Sequence, residues 1–67
     1  MGIVKVIEVI ATSESSFDDA VRNAVKEAAK TVKNIKSVYV KEMKAHVNGD
    51  AITSYAVIAK ISFELNA

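Results

Sequence analysis

The sequence contains no cysteine, only two glycines, one histidine and four aromatic residues. Without cysteine the chain cannot form disulfides, thiolate zinc sites or iron–sulfur clusters. Gly2 and Gly49 stand far apart, so the glycine-rich loop that cradles a phosphate is absent. A single histidine, His46, excludes a multi-histidine metal site within one chain. No nucleophile elbow or paired-carboxylate arrangement is visible either, and we expect no enzymatic activity.

Charge and hydropathy exclude two further classes of protein. Nine Lys/Arg and eight Asp/Glu residues are interspersed, whereas a nucleic-acid-binding domain usually has a basic patch with stacking aromatics. No apolar run approaches the length of about 18 residues that a membrane span requires. The first residues alternate with Lys5 and Glu8 and do not resemble a signal peptide. We therefore expect a cytoplasmic protein with neither nucleic-acid nor membrane partners.

The length of 67 residues predicts a single domain, residues 1–67, and favours self-association. A chain this short buries only about 60% of its unfolded surface and is marginally stable by itself. Disulfides and cysteine-bound metals are unavailable as stabilisers, while 51% of the residues are apolar. We therefore expect a homo-oligomer.

The first half of the chain predicts a strand and a helix. Ile3 to Ala11 alternates with apolar residues on both faces, as expected for a strand covered on two sides. Ser16 is the predicted N-cap, in a capping-box arrangement with Asp19. The helix is predicted to run from Phe17 to about Lys33. Its apolar stripe has helical spacing and comprises Phe17, Ala20, Val21, Ala24, Val25, Ala28 and Val32.

The second half, Ile35 to Leu65, predicts a β-hairpin that turns at Asn48-Gly49-Asp50. Asn-Gly between alternating apolar runs indicates a type I′ turn, which needs positive φ at both central positions. Each strand would span about 12 residues, roughly 40 Å. The helix would span only about 26 Å. The uncovered length of the hairpin again predicts packing between subunits.

Three stretches of the sequence resemble the dodecin family, and together they cover essentially the whole chain. They are Lys5 to Ser13 (KVIEVIATS), Ser16 to Val25 (SFDDAVRNAV) and Ala59 to Leu65 (AKISFEL). Ala11 stands where the family usually has glycine. The resemblance implies an α+β fold of β-α-β-β order, in which a three-stranded antiparallel sheet wraps around one helix. It also implies a hollow homododecamer.

The resemblance further implies a ligand site and a role. Flavin-binding dodecins hold riboflavin or FMN between subunits, and they store or buffer flavin without catalysis. A tryptophan of the second strand stacks on the flavin ring, and a glutamine of the third strand hydrogen-bonds its edge. Ser37 and Ala56 occupy these two positions here. We therefore predict weak or lost flavin binding, with Tyr39 and Tyr55 as neighbouring candidate ligand contacts.

Two other functions fit the sequence. The chain is similar to the dodecin subgroup that lacks the tryptophan, for which cation binding has been proposed. In a structural assembly of this kind, Glu42 is a candidate ligand for calcium or magnesium at a symmetry axis, because such cations need several oxygens. A free sheet edge would instead suit a peptide-binding module, which requires a monomer or dimer.

Overall fold

The computed structural model describes residues 2–65, which form four elements in the order β1-α1-β2-β3. Their bounds are Val4–Ser13 for β1, Phe17–Ala28 for α1, Ile35–Asn48 for β2 and Ala51–Glu64 for β3. The strands form one antiparallel sheet in the order β1-β3-β2, so β3 pairs with both neighbours. The predicted α+β fold of β-α-β-β order is thus confirmed.

The start of α1 is fixed by a hydrogen-bond network that reaches back into β1. Ser16 caps the helix as predicted, and its hydroxyl accepts from the Asp19 N–H at 3.0 Å. A capping box would also require the Asp19 carboxylate to accept from the Ser16 N–H. This part of the prediction is wrong, because the Asp19 carboxylate accepts from the Ser13 hydroxyl at 2.7 Å. The Ser13 oxygen in turn accepts from the Ser15 N–H at 2.9 Å. Since Ser13 is buried at the end of β1, the network joins strand and helix.

The helix ends at Ala28, so its predicted extension to Lys33 is wrong. The N–H groups of Lys30 and Thr31 bond to carbonyls three residues earlier, at 3.2 and 3.1 Å, which tightens the chain out of α-helical geometry. Asn34 then adopts a φ of 62°, a region that asparagine tolerates better than most residues. Residues 29–34 are needed to return the chain to the sheet, where β2 starts opposite Phe63.

The core lies between α1 and one face of the sheet. Small side chains on the helix, Ala20, Ala24 and Ala28, are buried and allow close approach to the strands. On β3 the alternating residues Val57, Ala59, Ile61 and Phe63 form the buried face. The structure also decides which face of β1 meets the core: Ile7, Val9 and Ala11 pack against it.

The hairpin is longer than predicted and uses a different turn. β2 and β3 have 14 residues each, and the pairing of Asn48 with Ala51 leaves Gly49-Asp50 as a two-residue turn. Only Gly49 in this turn has positive φ, at 68°. This pattern indicates a type II′ turn, so the predicted type I′ turn is wrong.

The length mismatch between helix and hairpin is larger than predicted. The described chain measures 50 × 19 × 14 Å. Strands of 14 residues span about 46 Å, and a helix of 12 residues spans about 18 Å. Because β1 ends opposite Tyr55, residues 46–54 project beyond both β1 and the core as a two-stranded ribbon. We call this ribbon the hairpin arm.

Candidate functional site

The candidate site lies on the sheet face turned away from α1, which we call the open face. Strand alternation places Ala56, Ile58, Lys60 and Ser62 of β3 on this face. From β1, the open face receives exposed apolar side chains, of which Ile10 is 72% exposed. No element within residues 2–65 covers this face.

One end of the open face carries two of the predicted ligand contacts. Ser37 lies opposite Ser62, and the two hydroxyls are hydrogen-bonded to each other. Tyr39 lies opposite Lys60, two residues further along β2, and is 65% exposed. Ser37 and Tyr39 therefore share a face. The tyrosine ring is accessible there as a platform for stacking.

A β-bulge brings Glu42 to the open face. The register of β2 against β3 shifts between Val40 and Glu42, which places Glu42 opposite Ile58 and Lys44 opposite Ala56. Without this shift, Glu42 would share a face with Val40, which packs opposite the buried Ala59. Together these strands enclose a small hollow of about 120 Å³, lined by Ile10, Glu42, Met43, Lys44, Ala56 and Ile58.

Sequence reasoning did not find the roles of Met43, Lys44 and Ile10 in this hollow. A signal for the bulge was nevertheless present. The helix-side residues of β2 are Val38 and Val40 before the shift but Met43 and Ala45 after it. The helix-side positions thus change from even-numbered to odd-numbered residues, and this change marks the residue inserted by the bulge.

Tyr55 lies on the other side of the sheet. Its ring packs edge-on against Phe17 at the start of α1, with centroids 5.0 Å apart and planes at 75°. Ala56 is 4% exposed and points to the open face, so these neighbours in sequence have opposite orientations. A ligand on the open face of one chain could meet Tyr55 only from another copy.

A single chain does not bring the two family flavin positions together. Ser37 pairs with Ser62, whereas Ala56 lies six residues earlier on β3, about 20 Å away along the strand. Of the five predicted site residues, only Glu42 and Ala56 meet, in the hollow. A site that used both Ser37 and Ala56 would need more than one copy of the chain.

The open face is polar between its apolar patches. Lys41 reaches Glu8 at 3.7 Å and Lys36 reaches Glu64 at 3.6 Å. Glu42 makes no ion pair with any residue from 2 to 65. Over the same residues, no group of three His, Cys, Asp or Glu side chains could hold a metal ion. Among the described residues, a single carboxylate, that of Glu42, is therefore available to a cation at the hollow.

His46 is an exposed strand residue. Its Nδ1 is hydrogen-bonded to the Ser54 hydroxyl at 3.0 Å across the hairpin arm. The His46 carbonyl accepts from the Thr53 hydroxyl at 3.3 Å. These bonds stay within the arm and tie its two strands together.

A larger groove, of about 720 Å³, separates α1 from β1. Its floor is formed partly by Ile7, Val9 and Ala11 of the strand and by Ala24 and Ala28 of the helix. The alanines are too short to fill the space above the edge strand. Asn23 crosses the end of this groove, and its side chain donates to the Thr12 carbonyl at 3.0 Å.

Comparison with known proteins assigns the chain to a family. The family model Dodecin matches residues 3–66. Dodecin from Thermus thermophilus is 27% identical over 63 residues, covering 94% of this chain and 91% of that protein. The solved structure of dodecin from Streptomyces coelicolor superposes with a TM-score of 0.91 at 29% identity, covering 98% of this chain and 94% of that one.

A third relative has a stated ligand. The calcium dodecin of Mycobacterium tuberculosis, a calcium-chelating immunodominant antigen with a novel calcium-binding site, superposes with a TM-score of 0.81. It is 31% identical, with 96% of this chain and 91% of that chain covered. The chain therefore belongs to the dodecin family, and it is a small ligand-binding protein of the dodecin type. Within residues 2–65, no helix has the length and apolar character needed to cross a membrane.

Proposed function

We propose that this protein is a cytoplasmic, non-catalytic homo-oligomer, assembled as a dodecamer, that binds and stores a small molecule and holds flavin weakly or not at all. The observation that carries the proposal is the chemistry of the open face. Ser37 and Ala56 stand at the two positions that resemble the family's flavin contacts. Neither an aromatic ring nor an amide group is therefore available there.

The shape of the chain supports self-assembly. A compact domain of 67 residues has an expected radius of gyration of about 11 Å. The observed value is 13.6 Å. The radius of gyration exceeds the expected value because α1 covers less than half of the length of the hairpin. A second copy would shield the exposed apolar side chains of the open face from water, which stabilises the assembly.

The separation of the site residues also supports a site shared between copies. Ser37, opposite Ser62, lies about 20 Å along β3 from Ala56, and Tyr39 and Glu42 lie between them, opposite Lys60 and Ile58. In our proposal, one copy supplies the Tyr39 platform and another supplies the hollow at Ala56. Tyr55 would contribute from the helix side of a neighbouring copy.

Riboflavin titration tests the ligand part of this proposal. We expect the fluorescence of riboflavin to change little when the purified protein is added at micromolar concentration. Tight, stoichiometric quenching would contradict the proposed loss of flavin binding. Size-exclusion chromatography with light scattering tests the assembly part separately, because a mass near the 7.2 kDa of one chain would overturn it. A peptide-binding role at a free sheet edge would then be favoured.

A second candidate function is a structural assembly that binds divalent cations. Glu42 supports it, because this carboxylate lines the hollow without an ion-pair partner among the described residues. Calcium or magnesium needs several oxygen ligands. Several copies would therefore have to converge at a symmetry axis. The calcium-binding site of the Mycobacterium tuberculosis relative supports a cation-binding role.

Calorimetric titration with calcium and with magnesium tests the cation site. The expected result is measurable heat and thermal stabilisation for the wild type, and loss of both in Glu42→Gln. Glu14→Gln is the matched control, because Glu14 is an exposed carboxylate outside the sheet. Absence of heat and stabilisation in the wild type would exclude the function, and equal binding by Glu42→Gln would exclude this residue as a ligand.

A further inference from the structure

We propose that Asn48 is a modification site, at which the Gly49 backbone nitrogen displaces the side-chain amide and leaves aspartate or isoaspartate at the tip of the hairpin arm. The inference is independent of the proposed function. It follows from the residues that the turn requires and from the space around them.

The turn places a residue without a side chain directly after Asn48. Gly49 has a φ of 68°, a region that residues with a Cβ adopt only at a cost in free energy, so the turn favours glycine there. Asn48 is the last residue of β2 and pairs with Ala51. Of the four asparagines in the sequence, Asn48 alone precedes glycine. The attacking nitrogen is therefore least hindered at this position.

The reaction needs only these two residues and water. The Gly49 nitrogen bonds to the Asn48 Cγ, the bond between Cγ and Nδ2 breaks, and the proton of the Gly49 amide leaves with Nδ2 as ammonia. The product is a five-membered succinimide ring. Water then opens the ring. Cleavage of the new bond to Cγ gives aspartate, and cleavage of the original peptide bond gives isoaspartate, without oxidation or reduction.

The surroundings leave both reacting groups free. Asn48 is exposed, and its side chain makes no hydrogen bond with any residue from 2 to 65. No backbone carbonyl in that range accepts from the Gly49 N–H. Because no atom lies within 4 Å of where a Gly49 Cβ would be, the space beside the attacking backbone is open.

The end of the hairpin arm can also open as the attack requires. Asn48 lies in an extended strand, and its backbone has to rotate before the Gly49 nitrogen can reach Cγ. The Asn48–Ala51 pair is the last pair of a two-stranded ribbon that extends beyond β1. Such a ribbon is marginally stable in water, and its end opens at a small fraction of the free energy of global unfolding.

Two other asparagines provide comparisons within the same molecule. Asn23 lies in α1, and its side chain donates to the Thr12 carbonyl at 3.0 Å. Asn34 precedes the β-branched Ile35, and its carbonyl accepts from the Glu64 N–H at 3.1 Å. A side chain on the following residue crowds the attacking nitrogen, and these hydrogen bonds hold the groups in place. Both asparagines should therefore react slowly.

The modification changes the charge and the backbone length at the turn. A new carboxylate lowers the formal net charge of the chain from +1 to zero. Proteins without net charge associate and precipitate more readily. Isoaspartate also adds one carbon to the backbone, and a two-residue turn between Asn48 and Ala51 cannot accommodate it without loss of that pair.

Mass spectrometry of the folded protein tests the inference. The purified protein is stored at neutral and at alkaline pH and is then digested at low pH, which prevents deamidation of the peptides. We expect Asn48 to change from amide to acid at least about tenfold faster than Asn23 or Asn34, a ratio that a small difference in activation free energy produces. Alkaline pH should accelerate the change, because the attacking nitrogen has to lose its proton. Equal rates at the three asparagines would overturn the inference.

The chain unfolded in guanidinium chloride sets the time scale, because no folded structure hinders the attack there. A folded protein that keeps the Asn48 amide after the unfolded chain has lost it would also overturn the inference. Asn48→Gln is the matched control, since it keeps an exposed amide but has to close a larger ring. We expect acidic forms to appear on ion exchange at least about tenfold more slowly in this variant than in the wild type. Equal rates in the two proteins would contradict the assignment to Asn48.

Asn48→Asp separates the effect of charge from that of backbone length. This variant has the charge of the modified protein and an unchanged backbone, so we expect its Tm to stay close to that of the wild type. The isoaspartate form, isolated by ion exchange, should have a lower Tm. Equal Tm values for the two would contradict the proposed loss of the pair that closes the turn.

Discussion

The Ser13 hydroxyl is the one buried polar side chain among the described residues, and it joins β1 to α1. It donates to the Asp19 carboxylate and accepts from the Ser15 N–H. The Ser16 N–H also donates to it, at 3.4 Å. Ser13→Ala would leave all three partners without these bonds. We expect the free energy of unfolding to fall by about 1.5–3 kcal/mol, because a hydrogen bond to a charged group contributes in this range.

Urea unfolding at one fixed protein concentration measures this effect. Ser15→Ala is a suitable control, because the Ser15 side chain is exposed and only its backbone enters the network. The free energy of unfolding of Ser15→Ala should differ from that of the wild type by less than about 0.5 kcal/mol. Equal stability of Ser13→Ala and Ser15→Ala would mean that water replaces the Ser13 bonds without loss.

Two residues of the open face offer a gain-of-function test. Ser37→Trp combined with Ala56→Gln would supply the ring and the amide that the resemblance associates with flavin. Aromatic stacking contributes about 0.5–1.5 kcal/mol beyond buried area, so each added ring should increase riboflavin affinity by about 2- to 10-fold. Fluorescence quenching measures the gain. Ser37→Ala, which adds no ring, should show none, and an unchanged double variant would argue against the assignment of these positions.

At the scale of elements, the hairpin depends on Gly49. Its φ of 68° is unfavourable for residues with a Cβ, although no atom lies within 4 Å of where that Cβ would be. Gly49→Ala should therefore lower the free energy of unfolding through backbone strain alone, by at least about 1 kcal/mol. Asp50→Ala, at the neighbouring position without positive φ, should be nearly neutral. Thermal unfolding of the two variants makes the comparison, and equal losses would contradict the strain argument.

The elements also show how far the sequence predicts this fold. The apolar alternation in β3 coincides with its buried face, and Ser16 was recognisable as the N-cap, because both depend on local periodicity or local hydrogen bonding. The end of α1 was not predictable in the same way. Lys30 and Lys33 are compatible with a longer helix, and the helix stops because β2 has to begin opposite Phe63. That requirement belongs to the tertiary structure.

The candidate site was predicted less completely than the fold. Ser37 and Tyr39 were placed on one face by simple alternation, which holds over this unbroken part of β2. Glu42 reaches the open face only through the bulge after Val40, and strict alternation would have turned it towards the core side. Contacts between copies lie outside what periodicity in one chain can specify. The grouping of Ser37, Tyr39, Tyr55 and Ala56 in one site therefore remains a proposal.

At the scale of the whole molecule, the elongated shape predicts that stability depends on protein concentration. If folding and assembly are coupled, mass action raises the Tm as the concentration increases. We expect a clear increase in Tm between about 1 and 100 µM chain. A folded monomer would instead have the same Tm at both concentrations, and that result would contradict the proposed assembly.

Salt distinguishes the kind of contact that holds the copies together. The formal net charge is +1, and the exposed residues of the hairpin arm and open face include apolar side chains such as Ile10, Val47 and Ile52. Contacts of this kind are screened little by ions, whereas exposed ion pairs weaken strongly as the Debye length falls to about 3 Å in 1 M salt. At constant protein concentration, we expect the Tm and the mass of the oligomer to be retained in 1 M sodium chloride. Dissociation by salt would assign the interface to ion pairs between copies rather than to the apolar surface.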